Sequence, residues 1–221
     1  MEASLPRKYR TPEKHIDYWA LLDACSQQGC PICRLLKNTA ERRIAALLYE
    51  EVNDAYVRQH LRASFGFCYS HALLLLQSSD GLGIALIYRD LIECVLDAIK
   101  KRKRRDLFPT QECPICELYK ELTKNYVNVL LQHSHDQEMR EELERSFGLC
   151  LPHLARVVKS TNDESLNKWF RRLATKAQQK QRILLQQFVR KHEIAHSHEP
   201  ITDQEKQSCQ DAIDMLVGMN V

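Results

Sequence analysis

Apolar residues recur along this chain every three or four positions, which is the spacing of one face of an α-helix. The clearest case is 34–51, where leucine, alanine and isoleucine side chains return at that interval. Similar patterns predict helices over 14–28, 54–63, 68–76, 84–99, 117–132, 136–146, 164–193 and 208–219, with another beginning near 150. No segment favours a strand, so the pattern predicts an all-α protein.

The breaks between these segments help to set their ends. Asp54 can cap a short helix, and Gly66 in "SFG" can supply a positive φ at a tight corner. The tail over 196–207, "HSHEPITDQEKQ", has the composition of a loop. In the first helix, the spacing places Ile16, Trp19, Leu22 and Cys25 on one face.

Two short motifs occur twice. "SFGFCYSH" at 64–71 returns as "SFGLCLPH" at 146–153, and "GCPIC" at 29–33 returns as "ECPIC" at 112–116. Within each copy the motifs have nearly the same separation. The repetition predicts a duplicated helical unit with a pseudo-two-fold arrangement, in copies 1–104 and 105–221, joined near "RDLFPTQE" at 105–112.

Each copy offers three cysteines and one histidine, the donors that zinc takes in closed tetrahedral sites. A Cys-x-x-His at a helix start places both side chains on one face, one turn apart. We expect each copy to close around one ion through its own helical hairpin. The predicted first site is Cys30, Cys33, Cys68 and His71, and the second is Cys113, Cys116, Cys150 and His153.

Four ligands fill the coordination shell and predict a structural role for both zinc ions. Three thiolates and one dication leave a charge of about −1, which Arg34, Arg62 and Arg145 could balance. An iron–sulfur cluster is an alternative cofactor, and a thiol redox or metal sensor is an alternative function. Haem attachment is excluded because Arg34 and Glu117 stand where that motif requires histidine.

The cysteines Cys25, Cys94 and Cys209 have no counterparts across the duplication. Cys94 stands in "LIECVLDAI" and has the apolar context of a core residue.

Residues 192–196 read "HEIAH", the His-Glu-x-x-His pattern of zinc metallopeptidases. On a helix, His192 and His196 would bind one ion, with Glu193 as general base. The pattern lies at a predicted helix end in a histidine-rich stretch, so a metallohydrolase is a second alternative and a polar helix terminus is the simpler interpretation.

The composition is that of a globular chain, with 44% hydrophobic and 28% charged residues and a net charge of +3. A basic field typical of dedicated nucleic-acid binders is absent. Lys100 to Arg105 form a weak basic patch, and 168–182 adds positive charge. No signal peptide or membrane-spanning run is apparent, which predicts a cytoplasmic protein, where stable disulfides are rare.

The two Cys-Pro-x-Cys motifs, each followed by Gly-x-Cys-x-x-His at 66–71 and 148–153, resemble an uncharacterised bacterial family. The resemblance extends to the end, "FVRKHEIAHSHEPITDQEKQS", although residues 193–196 depart from the acidic, aromatic and basic residues of the family there. The resemblance implies that the protein binds a metal, and it indicates no activity, substrate or partner. We therefore expect a non-enzymatic zinc protein, an adaptor or regulator that binds a protein or nucleic acid.

Overall fold

The computed structural model describes residues 13–101, 107–196 and 198–219. These residues form ten α-helices and no strand, which confirms the all-α prediction. The helices are α1 (Ile16–Cys25), α2 (Pro31–Ala46), α3 (Ala55–Ser64), α4 (Tyr69–Leu76), α5 (Gly81–Lys100), α6 (Pro114–Gln132), α7 (Gln137–Arg145), α8 (Leu151–Ser160), α9 (Glu164–Lys191) and α10 (Asp203–Val217). None of the described helices has the length and apolarity to cross a bilayer.

Several helices begin at side-chain caps. Asp54 accepts a hydrogen bond from the backbone N–H of Val57 at the start of α3, as predicted. Asp136 and Asp163 do the same for α7 and α9. Such caps satisfy N–H groups that have no partner within the helix. The long helix α2 ends in one wide π-turn over Leu47–Glu51.

The chain forms two compact units. Of the described residues, unit I comprises those in 13–35 and 123–219, and unit II comprises those in 36–122. Each unit therefore contains segments of both sequence copies. The division into copies at residues 104 and 105 describes the sequence repeat and stays a prediction.

In unit II, α3, α4 and the π-turn pack against α5. Their buried side chains form a core that includes Leu61, Leu75 and Ile87, and both Cys113 and Ile115 belong to it. In unit I, α9 packs against α8 and α10, and α1 packs against α7. The largest fully buried side chains of unit I include Tyr18, Phe170 and Met139.

Three local expectations need correction. The buried face of α1 is Tyr18, Leu21, Ala24 and Cys25, whereas Ile16 and Trp19 of the predicted face are exposed. Tyr18 can be buried because its hydroxyl donates to Asp136 at 2.7 Å, and an aromatic body with a satisfied polar tip packs well.

The predicted C-terminal loop is also shorter than expected. Helix α10 already begins at Asp203, because Thr202 and Glu205 form a reciprocal capping box. The pattern Thr-x-x-Glu in 202–205 was a readable signal for that start. Likewise, α2 and α6 begin three residues earlier than the predicted 34 and 117, at Pro31 and Pro114, because the first position of a helix suits proline.

The two "SFG" corners lead directly into α4 and α8. Gly66 has φ +86° and Gly148 has φ +87°, values that favour glycine. The Ser64 hydroxyl donates to the Gly66 carbonyl, and the Gly148 N–H donates to the Ser146 hydroxyl. These corners fix where Cys68 and Cys150 stand.

We predict that Gly66→Ala destabilises the protein by about 1–2 kcal/mol or more, since a left-handed backbone is costly for a residue with a Cβ. The added Cβ would also lie 2.8 Å from Cδ1 of Leu91. Denaturant unfolding measures the effect. Gly81→Ala is the matched control, because nothing lies within 4 Å of its added Cβ. Equal free energies of unfolding for the two variants would contradict the assigned corner.

Candidate metal centres

All four repeated motifs have one local design. Cys68 and Cys150 are the N-cap residues of α4 and α8. Cys30 and Cys113 hold the same place before α2 and α6, since their carbonyls accept the first helical hydrogen bonds, from Arg34 and Glu117. Three residues later, within the first turn, each helix carries a second donor. These second donors are Cys33, His71, Cys116 and His153.

Cluster I consists of Cys30, Cys33, Cys150 and His153 in unit I. Nδ1 of His153 lies 3.5 Å from Sγ of Cys30, 3.4 Å from Sγ of Cys33 and 3.1 Å from Sγ of Cys150. The sulfurs of Cys33 and Cys150 are 3.7 Å apart. Two helix starts, those of α2 and α8, thus bring four donors to one point.

Cluster II consists of Cys68, His71, Cys113 and Cys116 in unit II. Nδ1 of His71 lies 3.1 Å from Sγ of Cys68, 3.4 Å from Sγ of Cys113 and 3.5 Å from Sγ of Cys116. The sulfurs of Cys68 and Cys116 are 3.6 Å apart. The starts of α4 and α6 repeat the geometry of cluster I.

These distances fit a single tetrahedral ion better than hydrogen bonding. One imidazole Nδ1 can make one good hydrogen bond, yet it faces three sulfurs in each cluster. With Zn–S bonds of about 2.3 Å and Zn–N bonds of about 2.0 Å, the edges of a tetrahedron measure roughly 3.5–3.8 Å. The donors of both clusters therefore stand near the corners that zinc requires.

The structure groups the eight residues differently from the sequence prediction. Cys30 and Cys33 pair with Cys150 and His153, not with Cys68 and His71, and the same exchange holds for the other cluster. The predicted grouping within each copy is therefore wrong, although all eight predicted residues belong to a cluster.

Helix lengths explain why the donors of one copy pair with donors of the other. In the first copy, α2 has 16 residues and continues through a 5-residue π-turn, which amounts to about 30 Å. The returning helix α3 has 10 residues, or about 15 Å. The Cys-x-x-His corner that follows α3 therefore falls short of the start of its own long helix. The 19 residues of α6 and 9 residues of α7 repeat this mismatch in the second copy.

Helix N-termini supply positive potential to each cluster. Each N-terminus acts as roughly half a positive charge, so two of them offset the charge of about −1 of a Cys₃His site with a dication. The arginines expected to balance this charge have other partners. Arg34 donates to the Gln28 carbonyl, Arg62 pairs with Asp90, and Arg145 pairs with glutamates of its own helix.

The thiols of cluster I do not ionise alike. Burial raises the pKa of Cys30, but hydrogen bonds from Cys150, Cys33 and His153 to its sulfur outweigh burial and lower that pKa well below its usual value. The hydrogen bond of Cys150 to the Cys30 sulfur raises the pKa of Cys150 to about 12. The pKa of Cys33 is raised by its hydrogen bonds to Cys150 and Cys30. A bound cation would favour the thiolate form of all three sulfurs.

Two residues of cluster II also have shifted pKa values. Burial raises the pKa of Cys116 to about 12, and the nearby charge of Cys113 adds to this shift. Burial also lowers the pKa of His71, which favours the neutral imidazole that can bind a metal. Nε2 of His71 is buried without a hydrogen-bond partner among the described residues.

The two clusters differ in exposure. In cluster I, Cys30, Cys33 and Cys150 are at most 1% exposed. The end of α10 covers them, because a Cβ on Gly218 would lie 3.6 Å from Sγ of Cys33 and 3.8 Å from Sγ of Cys150. In cluster II, Cys68 and Cys116 are only partly buried.

The remaining candidate residues lie elsewhere. Helix α9 ends at Lys191, so His192 is a C-cap and His196 lies in a separate 3₁₀ turn. Nδ1 of His196 is 3.1 Å from Glu199. The described residues contain no third group of metal-binding side chains, which argues against a His-Glu-x-x-His centre. Of the basic run, residues 102–105 lie outside the described residues.

The cysteines without counterparts are not part of either cluster. Cys25 is buried, Cys94 is partly buried and Cys209 is exposed. Cys25 and Cys94 fit the interpretation of ordinary packing residues, and Cys209 is a free surface thiol on α10.

Double substitutions test the ligand grouping. We predict that Cys33→Ser with Cys150→Ser abolishes one metal site, because both residues belong to cluster I. Cys33→Ser with Cys68→Ser should abolish both sites. The measurement is the metal content per chain after purification. The opposite ranking of the two double variants would show that each copy binds its own ion.

Comparison with known proteins agrees with the repeat. A model described as "Family of unknown function (DUF6062)" matches residues 14–109 and again 109–220. One curated relative, the "Uncharacterized 23.9 kDa protein in xynA 3'region" of Caldicellulosiruptor sp. (strain Rt8B.4), is 25% identical over 157 residues, or 67% of this chain and 74% of the relative. No solved structure matches the chain significantly. Because the family model covers nearly all of the sequence in two copies, the chain belongs to the DUF6062 family of unknown function.

Proposed function

We propose that the protein is a non-enzymatic zinc protein in which two Cys₃His centres hold a helical scaffold together. The observation that carries this proposal is the meeting of two helix N-termini, distant in sequence, at each cluster. The donors of cluster I come from residues 30–33 and 150–153, and those of cluster II from 68–71 and 113–116. An ion bound at each cluster would link two segments that are far apart in the sequence.

Zinc is favoured over an iron–sulfur cluster by the closeness of the donors. All four donor atoms lie within 4.8 Å of one another in both groups. The four ligands of an iron–sulfur cluster are shared among two or more iron atoms, so they cannot all stand at the corners of one small tetrahedron. Three thiolates and one imidazole are a common donor set for structural zinc.

A structural role is favoured over catalysis because four protein donors leave no position for water or substrate. The burial of cluster I supports this, since its three sulfurs are at most 1% exposed. The free thiols, six of which belong to the clusters, would suit a reducing compartment such as the cytoplasm.

The proposed macromolecular partner is a protein. Helix α5 exposes Ile92, Leu96 and Ile99 at 58%, 48% and 55%, and the spacing i, i+4, i+7 places them on one face. Exposed apolar side chains that share one helix face mark an interaction surface more often than single exposed apolar residues do. Nucleic acid is less favoured, because several cations of α9 are paired, including Lys168 with Glu164 and Lys191 with Glu205.

We expect two equivalents of zinc per chain and a colourless protein when it is purified without added metal. Elemental analysis and the visible spectrum test this, because iron–sulfur clusters absorb visible light. Fewer than one metal ion per chain, or a brown protein with iron, would overturn the proposal.

Loss of one ligand should unfold part of the scaffold. We predict that Cys150→Ser lowers the melting temperature by about 10 °C or more, since a structural zinc site contributes several kcal/mol to folding. The control is Cys209→Ser, a surface thiol whose loss should change stability by no more than about 0.5 kcal/mol. Circular dichroism measures both, and equal melting curves would contradict a structural centre.

A further inference from the structure

The two clusters have matching donors and geometry, but they differ in solvent exposure. Their donors, their positions in the helices and their distances correspond one to one. Cys33 and Cys150 of cluster I correspond to Cys116 and Cys68 of cluster II. The first pair of sulfurs is 3.7 Å apart and the second 3.6 Å. With donors and distances alike, exposure is the main geometric difference between these pairs.

Cluster II is the more exposed of the two clusters. Cys33 is 1% exposed and Cys150 is 0% exposed. Cys68 and Cys116 are both partly exposed, and their pair is the part of cluster II that a small solute can reach. Reaction with oxidants follows thiolate character and access. Zinc-bound thiolates provide the first property at both clusters, so access decides between them.

Coverage by the end of α10 explains the protection of cluster I. Gly218 has φ 86° and ψ 160°, a conformation essentially limited to glycine. Its neighbour Met219 lies against Gly29, because a Cβ on Gly29 would be 2.8 Å from the Met219 sulfur. Residues 218 and 219 thus lie over the cysteines of cluster I, within the same unit.

We propose that cluster II is an oxidation site, at which a hydroperoxide links Cys68 to Cys116 and releases the metal, while cluster I stays intact. This inference rests on the proposed function, since it takes zinc as the bound ion. It makes one of the two centres responsive and the other permanent.

The chemistry balances with hydrogen peroxide as the oxidant. One of the two thiolates attacks a peroxide oxygen, the O–O bond breaks, and a sulfenic acid and hydroxide form. The second thiolate then attacks the sulfenic sulfur and displaces another hydroxide. Two thiolates lose two electrons, and peroxide gains them. The sulfurs need to close from 3.6 Å to about 2.0 Å, and the ion keeps only Cys113 and His71.

The test uses the full chain loaded with zinc, with Cys94→Ser and Cys209→Ser to remove the other accessible thiols. Hydrogen peroxide is added in small excess, and a chromogenic chelator follows zinc release. Remaining thiols are then alkylated, and peptide mass spectrometry identifies the disulfide. We expect one zinc per chain to leave about tenfold or more faster than the other, together with a disulfide between Cys68 and Cys116.

A second variant tests the role of the cover. Gly218→Val introduces a side chain where the backbone favours glycine and where Cys33 and Cys150 lie close. Displacement of residues 218 and 219 should speed oxidation of the Cys33–Cys150 pair and leave the rate at cluster II unchanged.

Three results have different meanings. Simultaneous loss of both zinc ions, or earlier formation of a Cys33–Cys150 disulfide, would overturn the inference. A chain that binds no zinc would instead contradict the proposed function. In that case the rates at which the metal-free thiols are alkylated still compare the two pairs, and equal rates would overturn the inference as well.

Discussion

The convergence of four donor atoms at the meeting of two helix N-termini is the constraint on which each compact unit depends. A buried imidazole nitrogen that faces three sulfurs within about 3.5 Å has no satisfactory arrangement of hydrogen bonds. Three thiolates in the same place repel one another. A dication resolves both problems, and the two helix ends contribute about one further positive charge. The folding of each unit and the binding of its ion would therefore be the same event.

The sequence was sufficient for the class of fold and for the eight side chains that the structure gathers into two clusters. Helical periodicity and the cap at Asp54 could be predicted because they depend on neighbours in the chain. The repeated Cys-Pro-Ile-Cys and Cys-x-x-His motifs were equally local. Errors arose where tertiary contacts decide. The buried face of α1 depends on a hydrogen bond from Tyr18 to Asp136, 118 residues away.

The grouping of the donors was also a tertiary property. The separations of Cys33 from Cys68 and of Cys116 from Cys150 are almost equal, so a sequence repeat invites the assumption that each copy closes on itself. Only the relative lengths of α2 and α3, and of α6 and α7, show that the short helix cannot return to the start of the long one. The capping box at Thr202 and the prolines at the start of α2 and α6 were signals available in the sequence that would have improved the helix boundaries.

The repeat, in which each cluster combines motifs from both copies, also explains how the two centres could acquire different properties. Each cluster takes one motif from each copy, so the two clusters are built from the same pair of motifs. The surroundings can differ, since the second copy continues into α9 and α10 whereas the first ends with α5. Helix α10 ends over Cys33 and Cys150, and among the described residues of the first copy no helix follows α5. The asymmetry in exposure is thus a consequence of an extension at one end of a repeated chain.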